Sequence, residues 1–183
     1  MLAKAAQSGD AVSQFLMGLL LLAEGPTAYE KAATWLEAGT RAGHTHATKY
    51  LAAILATAPS PLIRNPQRAR DLIEPLTKPG RLNSDPDVWQ IRAAALAGLG
   101  SFDPAAESQR RAIELATQQG WDVAPLEQRV AAYRGGSAWQ GDLLGLQGLR
   151  WGEEPAGNVS ETCSEVAEAG SRLSRCNRKS NKN

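Results

Sequence analysis

The side chains with catalytic or metal-binding chemistry are few in this sequence, and two of them, His44 and His46, stand one residue apart. Imidazole is both a common metal ligand and a general base. A zinc site needs three or four donors, and no third donor is close to these two in the sequence. We therefore predict no metal site, and we interpret both histidines as solvated residues at the start of a helix.

A second pair of ionisable residues, Asp85 and Asp87, stands at the beginning of a predicted helix. The helix macrodipole stabilises negative charge at this end. We therefore interpret the two carboxylates as structural rather than catalytic.

The two cysteines, Cys163 and Cys176, both fall in a polar C-terminal stretch. Two cysteines form neither a disulfide framework nor a four-ligand zinc site. They predict one disulfide in an oxidising compartment, or two free thiols elsewhere.

Motifs for nucleotide, phosphate and acyl-enzyme chemistry are missing from the sequence, including Gly-x-Gly-x-x-Gly, the phosphate loop and Gly-x-Ser-x-Gly. Ser101 lies in a turn and has no histidine near it in sequence. We therefore predict no catalytic residue and no cofactor, and an enzyme stays only a remote alternative.

The composition favours helices that pack on helices. Hydrophobic residues make up 43% of the chain and aromatic residues only 5%, and the dominant alanine and leucine are strong helix formers. The formal net charge of +1 gives no electrostatic footprint for DNA or RNA, so we predict no nucleic-acid partner. One group of basic residues near the C-terminus is interpreted as a solvated tail: Arg172, Arg175, Arg178, Lys179 and Lys182.

An apolar run over residues 15–23 is too short to span a bilayer. A signal-peptide core is the open alternative. Against it, Asp10 stands just before the run, and the run falls in phase with a repeat. We therefore predict a buried helix and no membrane span.

Two segments align in their small and apolar positions at an offset of 34 residues, within the range of helix-pair repeats. The aligned positions are Gly9, Ser13, Met17 and Gly18 in the first, and Gly43, Ala47, Leu51 and Ala52 in the second. Breaker residues bound the helices of these units, which we predict over 10–23, 28–42, 45–57 and 66–76. A later helix is predicted to have Asp103 as its N-cap, followed by Pro104.

The unit that contains Ala32-Ala33-Thr34-Trp35 and ends at Gly43 resembles the Sel1-like repeat family. A later stretch keeps the spacings of a tetratricopeptide repeat at Trp89, Ala93, Leu96, Gly100, Phe102, Ala105 and Ala112. The resemblance implies a bacterial protein of the all-α class, folded as a right-handed α-α superhelix, a solenoid of helix-turn-helix repeats.

We therefore divide the chain into a helical repeat domain, 1–144, and a tail, 145–183, that we expect to be disordered. The domain comprises two Sel1-like units, one tetratricopeptide-like unit and a capping helix: 10–43, 44–80, 85–119 and 122–135. The capping helix is expected to bury Leu126, Val130 and Tyr133 and to expose Arg129. We assign two tryptophans to repeat cores, Trp35 and Trp89. The other three are assigned to exposed interface positions: Trp121, Trp139 and Trp151.

The resemblance implies a non-enzymatic scaffold that binds a peptide or helix of another protein in a concave groove. Gln14, Thr48 and Gln90 are predicted to point outward there and to contact the partner, whose identity the repeat pattern does not fix. The alternative is an accessory or regulatory repeat segment of a larger bacterial envelope or secretion protein. The cytoplasm is favoured as the compartment, with the periplasm as the alternative for a piece of an exported protein.

Overall fold

The computed structural model describes residues 1–145, so the predictions for the remaining tail, its two cysteines, its basic residues and Trp151 lie outside the described residues. The described chain is all-helical and contains no strand. Two short 3-10 turns, Pro26–Ala28 and Glu74–Thr77, accompany the α-helices, which are α1 (Leu2–Gln7), α2 (Ala11–Ala23), α3 (Tyr29–Arg41), α4 (Thr45–Thr57), α5 (Pro66–Ile73), α6 (Pro86–Gly98), α7 (Phe102–Gln118) and α8 (Ala124–Arg134).

Side-chain caps explain where several of these helices begin. The carboxylate of Asp10 accepts a hydrogen bond from the Ser13 N–H at 2.7 Å, at the start of α2. The Asn65 side chain does the same for α5, accepting from the Arg68 N–H at 3.0 Å. Each cap pairs one of the N–H groups that a helix start leaves without a partner in the helix itself.

The start of α7 differs from the prediction that Asp103 is its N-cap. The helix begins at Phe102, so Asp103 lies inside the first turn, and Ser101 takes the capping position without a side-chain hydrogen bond. A carboxylate in the first turn still interacts favourably with the helix dipole. The prediction was therefore wrong in position by two residues.

Each helix packs on the next one along the chain from α1 to α8, and α4 also contacts α6. The apolar run 15–23 lies in α2, and no helix within residues 1–145 is long and apolar enough to cross a bilayer. The largest apolar core joins side chains of α2 to α6, and a second cluster joins α6, α7 and α8.

A close approach between Gly18 and Leu36 sets the packing of α2 on α3. A Cβ atom on Gly18 would lie 2.5 Å from Leu36 Cγ, and the Leu36 side chain is fully buried. Trp35, predicted as the core residue of this repeat, is only half-buried and belongs to none of the apolar clusters. The prediction was wrong because α3 turns the next residue, Leu36, toward the groove that Gly18 leaves open.

The capping helix α8 buries the three apolar residues that the sequence indicated: Leu126, Val130 and Tyr133. Arg129, expected on the exposed side, is buried as well. It is held there by a hydrogen bond that its guanidinium donates to the Gln90 side chain of α6. That expectation was wrong because a long charged side chain can enter a core when another polar group meets it.

Candidate functional site

The chain turns back on the helices after α8. Residues 139–144, called the return segment here, form no helix, yet Leu143 and Leu144 are 3% and 2% exposed. Both leucines belong to the core cluster formed by α2 to α6. The Gly141 N–H donates a hydrogen bond of 2.8 Å to the carbonyl of Thr57, the last residue of α4. The return segment therefore ties the end of the described chain to its first half.

The leucines of the return segment lie in a groove between α2 and α4, called the α2–α4 groove here. One wall consists of Leu22 of α2 and Tyr29, the first residue of α3, and the other is a face of α4: Tyr50, Ala53, Ile54 and Thr57. The α4 positions follow the spacing i, i+3, i+4, i+7, which places them on one side of a helix. The space left in the groove is about 20 Å³, which is enough for about one water molecule. The segment therefore fills the groove.

A local turn directs both leucines to the same side. Consecutive side chains of an extended chain point in opposite directions. Here the Asp142 carboxylate accepts a hydrogen bond from the Leu144 N–H at 3.2 Å, which is an Asx-type turn. The preceding residue, Gly141, has φ +105°, a conformation that L side chains rarely adopt. The sequence Gly-Asp-Leu-Leu is therefore what allows two adjacent leucines to enter one groove.

The docking of this segment is a balance of opposing terms. Burying a leucine side chain contributes about 1.5–3 kcal/mol, while fixing the backbone of one residue costs about 1–2 kcal/mol. The indole N–H of Trp139 is buried, and no acceptor for it lies among residues 1–145. An unpaired buried donor costs about 1–3 kcal/mol. The return segment also lacks the regular backbone hydrogen bonds of the helices beneath it, so we expect it to open more readily than they do.

A buried ion pair lies between α4 and α6. Lys49 Nζ is 2.8 Å from the Asp85 carboxylate and 3.4 Å from that of Asp87. Burial acts to lower the pKa of Lys49, but the charges of Asp87 and Asp85 outweigh it and raise this pKa above its ordinary value. Asp85 also accepts from the Asp87 N–H at 2.9 Å as the N-cap of α6. The structural interpretation of this acid pair is consistent with these contacts, and its lysine partner was not foreseen.

The polar contacts continue from this ion pair to the return segment. The Gln90 amide N–H donates to Asp87 at 3.2 Å, and the Arg129 guanidinium donates to the Gln90 carbonyl oxygen. The same guanidinium lies 5.0 Å from the centre of the Trp139 ring, within cation–π range. Side chains of α4, α6, α8 and the return segment are thus connected without interruption.

The predicted contact residues do not form a common surface. Gln90 is fully buried in the polar contacts just described, and Gln14 is buried with its amide donating to the Ala6 carbonyl at 3.2 Å. Thr48 is half-buried, and its hydroxyl donates to the His44 carbonyl at 3.4 Å. The expectation that Gln14 and Gln90 point outward was wrong, because neighbouring helices cover the faces that carry them.

The tryptophans expected at exposed positions are packed instead. Trp139 is half-buried against both large apolar clusters, and Trp121 is half-buried against a small cluster of α7 and α8. Trp89 is also half-buried, and its indole N–H donates to the Asn83 carbonyl at 2.8 Å. Of these three, Trp139 is the one that lies in the candidate site.

The histidines stand at the start of α4, as predicted; His46 is exposed, whereas His44 is half-buried. His44 Nδ1 accepts a hydrogen bond from the Ala47 N–H at 3.2 Å, so His44 is the N-cap of the helix. Its ring stacks on Phe15 of α2 with centroids 4.6 Å apart. Partial burial lowers the pKa of His44 and outweighs the attraction of Asp10. No group of three or more metal-ligating side chains is found in the part of the chain that the structure describes.

Comparison of the chain with protein-family models, with curated proteins and with solved structures gave no match. The resemblance to Sel1-like and tetratricopeptide repeats therefore stays a prediction from the sequence pattern.

Proposed function

We propose that this chain is a non-enzymatic protein-interaction scaffold that binds a short apolar segment of another protein in the α2–α4 groove. The observation that carries the proposal is the return segment, a non-helical stretch that lies in this groove with Leu143 and Leu144 buried. A groove that accommodates one such segment has the apolar lining and the width to accommodate another of the same kind.

The order of helix contacts supports a repeat architecture for this scaffold. The helices pack as successive pairs, α2 with α3, α4 with α5 and α6 with α7, and the first helices of the last two pairs contact each other. Stacked helix-pair repeats have this arrangement. We therefore propose a right-handed solenoid of Sel1-like and tetratricopeptide-like units, with the α2–α4 groove on the face lined by the first helix of each pair.

The buried ionisable groups favour a structural role over a catalytic one. A lysine acts as a nucleophile or base when its pKa falls toward neutrality, whereas the pKa of Lys49 is raised. His44 uses its Nδ1 lone pair to cap α4. These groups therefore support a scaffold rather than an enzyme.

A selection of random displayed peptides on the full chain tests this proposal. The bait carries Leu143→Ala and Leu144→Ala, so that the groove is accessible. Ala53→Glu, added to the bait, places a charge on the α4 wall of the groove, and Ala131→Glu on the exposed side of α8 is the matched control. We expect enriched peptides to bind the bait and the Ala131→Glu protein equally, and the Ala53→Glu protein about tenfold more weakly or worse. Equal binding to all three proteins would overturn the proposal.

A further inference from the structure

The return segment shows which ligand chemistry the α2–α4 groove accepts. Two adjacent leucines fill the apolar space, and the Asp142 carboxylate closes the turn that brings them to the same side. The Gly141 N–H meets the Thr57 carbonyl at the end of α4, where a helix leaves its last carbonyls without partners in the helix. The groove therefore has a site for two leucine side chains and an acceptor for one backbone N–H just before them.

The connection of the return segment to α8 allows it to leave the groove without unfolding a helix. Residues 135–138, which join α8 to Trp139, are exposed and include the pair Gly135-Gly136. Gly136 has φ +75°, so the chain direction changes at a residue with a wide range of backbone conformations. Segments with few regular hydrogen bonds open more readily than the helices they pack on.

From these observations we infer that the groove is selective for partner segments of the Asp-Leu-Leu type, and that the return segment is an intramolecular copy of this ligand that competes for the same site. The inference rests on the proposed function and adds the ligand class and its control. A partner binds by supplying a non-helical segment in which an acidic or amide side chain precedes two leucines. The chain is then a peptide binder whose apparent affinity is reduced by the fraction of time for which its own segment occupies the groove.

Fluorescence anisotropy with a labelled synthetic peptide, SAWQGDLLG, tests the inference. This is the sequence of residues 137–145. The proteins are the full wild-type chain, the Leu143→Ala/Leu144→Ala chain, and a Gly141→Pro chain. The proline keeps both leucines but removes the N–H bonded to Thr57 and cannot adopt φ +105°. Circular dichroism checks that each variant keeps its helices, and a variant that keeps them decides the test alone.

We expect the peptide to bind both variants about tenfold more tightly than wild type, because their own segment no longer competes. In the peptide, Asp142→Ala should weaken binding about threefold or more by removing the turn, and replacement of both leucines by alanine should abolish binding. If SAWQGDLLG bound wild type and both variants with equal affinity, the inference that the return segment competes for the groove would be wrong. If the peptide with Asp142→Ala bound as tightly as SAWQGDLLG itself, the inferred ligand class would be wrong.

Two further outcomes separate this inference from the proposed function. If selected peptides bind at Ala53 while SAWQGDLLG does not, the inference fails and the proposed function stands; if neither binds, both fail. Sedimentation of the wild-type chain as a dimer that becomes monomeric in the Leu143→Ala/Leu144→Ala protein would assign the groove to the return segment of a second copy, and would overturn competition within one chain.

Discussion

The ammonium group of Lys49 on α4 lies 2.8 Å from the carboxylate of Asp85, the residue that caps α6. This pair joins the first helices of two successive helix pairs at a point where the lysine side chain is 6% exposed. A second carboxylate, Asp87, is 3.4 Å away. One ammonium group therefore contacts two carboxylates inside the helical packing.

Replacement of Lys49 by methionine should destabilise the protein strongly. The change leaves the Asp85 and Asp87 carboxylates without their cation, and breaking a buried pair on one side costs about 3–5 kcal/mol. Urea denaturation followed by circular dichroism measures the loss. Lys31→Met, on the exposed side of α3, is the control and should change the free energy of unfolding by less than about 0.5 kcal/mol. A loss below about 1 kcal/mol for Lys49→Met would show that the pair contributes little.

The stability of the fold should fall as the pH drops through the ordinary pKa of histidine, 6.5. The pKa of His44 is lowered in the folded state, so in the window below 6.5 the unfolded chain binds a proton that the folded chain does not. Stability therefore rises with pH in this window, by at most about 1.4 kcal/mol per pH unit for one proton. The lowered pKa of Asp10 acts in a more acidic window, below its ordinary 3.8.

His44→Asn tests the assignment of this pH dependence. Asparagine is also a good N-cap but does not titrate near neutral pH. We expect urea midpoints measured between about pH 5 and 8 to vary less in this variant than in wild type. His46 remains in both proteins, and its pKa is also lowered in the folded state, by burial above all, so part of the pH dependence should persist in the variant. If the pH profile of stability were the same in the variant and in wild type, a group other than His44 would cause the pH dependence.

The close approach of α2 and α3 makes Gly18 sensitive to one added methyl group. In Gly18→Ala the new Cβ would lie 2.5 Å from Leu36 Cγ, and Leu36 is fully buried with little room to move. Overpacking of this kind costs about 1–3 kcal/mol. Gly135→Ala is the matched control, since its Cβ would be no closer than 3.4 Å to its neighbours. The double variant Gly18→Ala/Leu36→Ala, in which residue 36 has no Cγ, should lose less stability in thermal unfolding than the two single variants added together; an additive loss would place the clash elsewhere.

The helix boundaries could be predicted from the sequence because local residues determine them. The predicted span 45–57 agrees with α4, which begins at the His44 cap and ends before Pro59 and Pro61. The side of each helix that faces solvent could not be predicted equally well. α6 is buried on nearly all sides, including Asp87 and Gln90, so no helical period distinguishes an inner from an outer face.

The candidate site was missed because it depends on contacts between distant parts of the chain. Leu143 and Leu144 follow a glycine-rich stretch and have no periodic pattern around them, yet they pack on helices formed by residues 11–57. A local pattern carries no information about such a contact. The available signal was the short sequence Gly-Asp-Leu-Leu, which joins turn-forming residues to two adjacent apolar ones.

Arg129 should affect both the stability of the helices and the occupancy of the groove. Its guanidinium donates to Gln90 and lies 5.0 Å from the Trp139 ring. Arg129→Met leaves the buried Gln90 oxygen without this donor, which should cost about 1–3 kcal/mol in urea denaturation. The loss of the cation–π contact should also release the return segment and strengthen binding of the shorter peptide QGDLLG, residues 140–145, about threefold, because this peptide lacks the tryptophan and loses no contact of its own.

Arg134→Met, at the exposed end of the same helix, is the control and should change neither quantity. The two measurements separate the two contacts of Arg129. A stability loss with unchanged peptide affinity would mean that Arg129 supports α6 alone and that Trp139 is held by apolar packing. If Arg129→Met strengthens peptide binding less in a Trp139→Phe protein than in wild type, the coupling belongs to the indole ring, whose electron-rich face attracts a cation more strongly than that of phenylalanine.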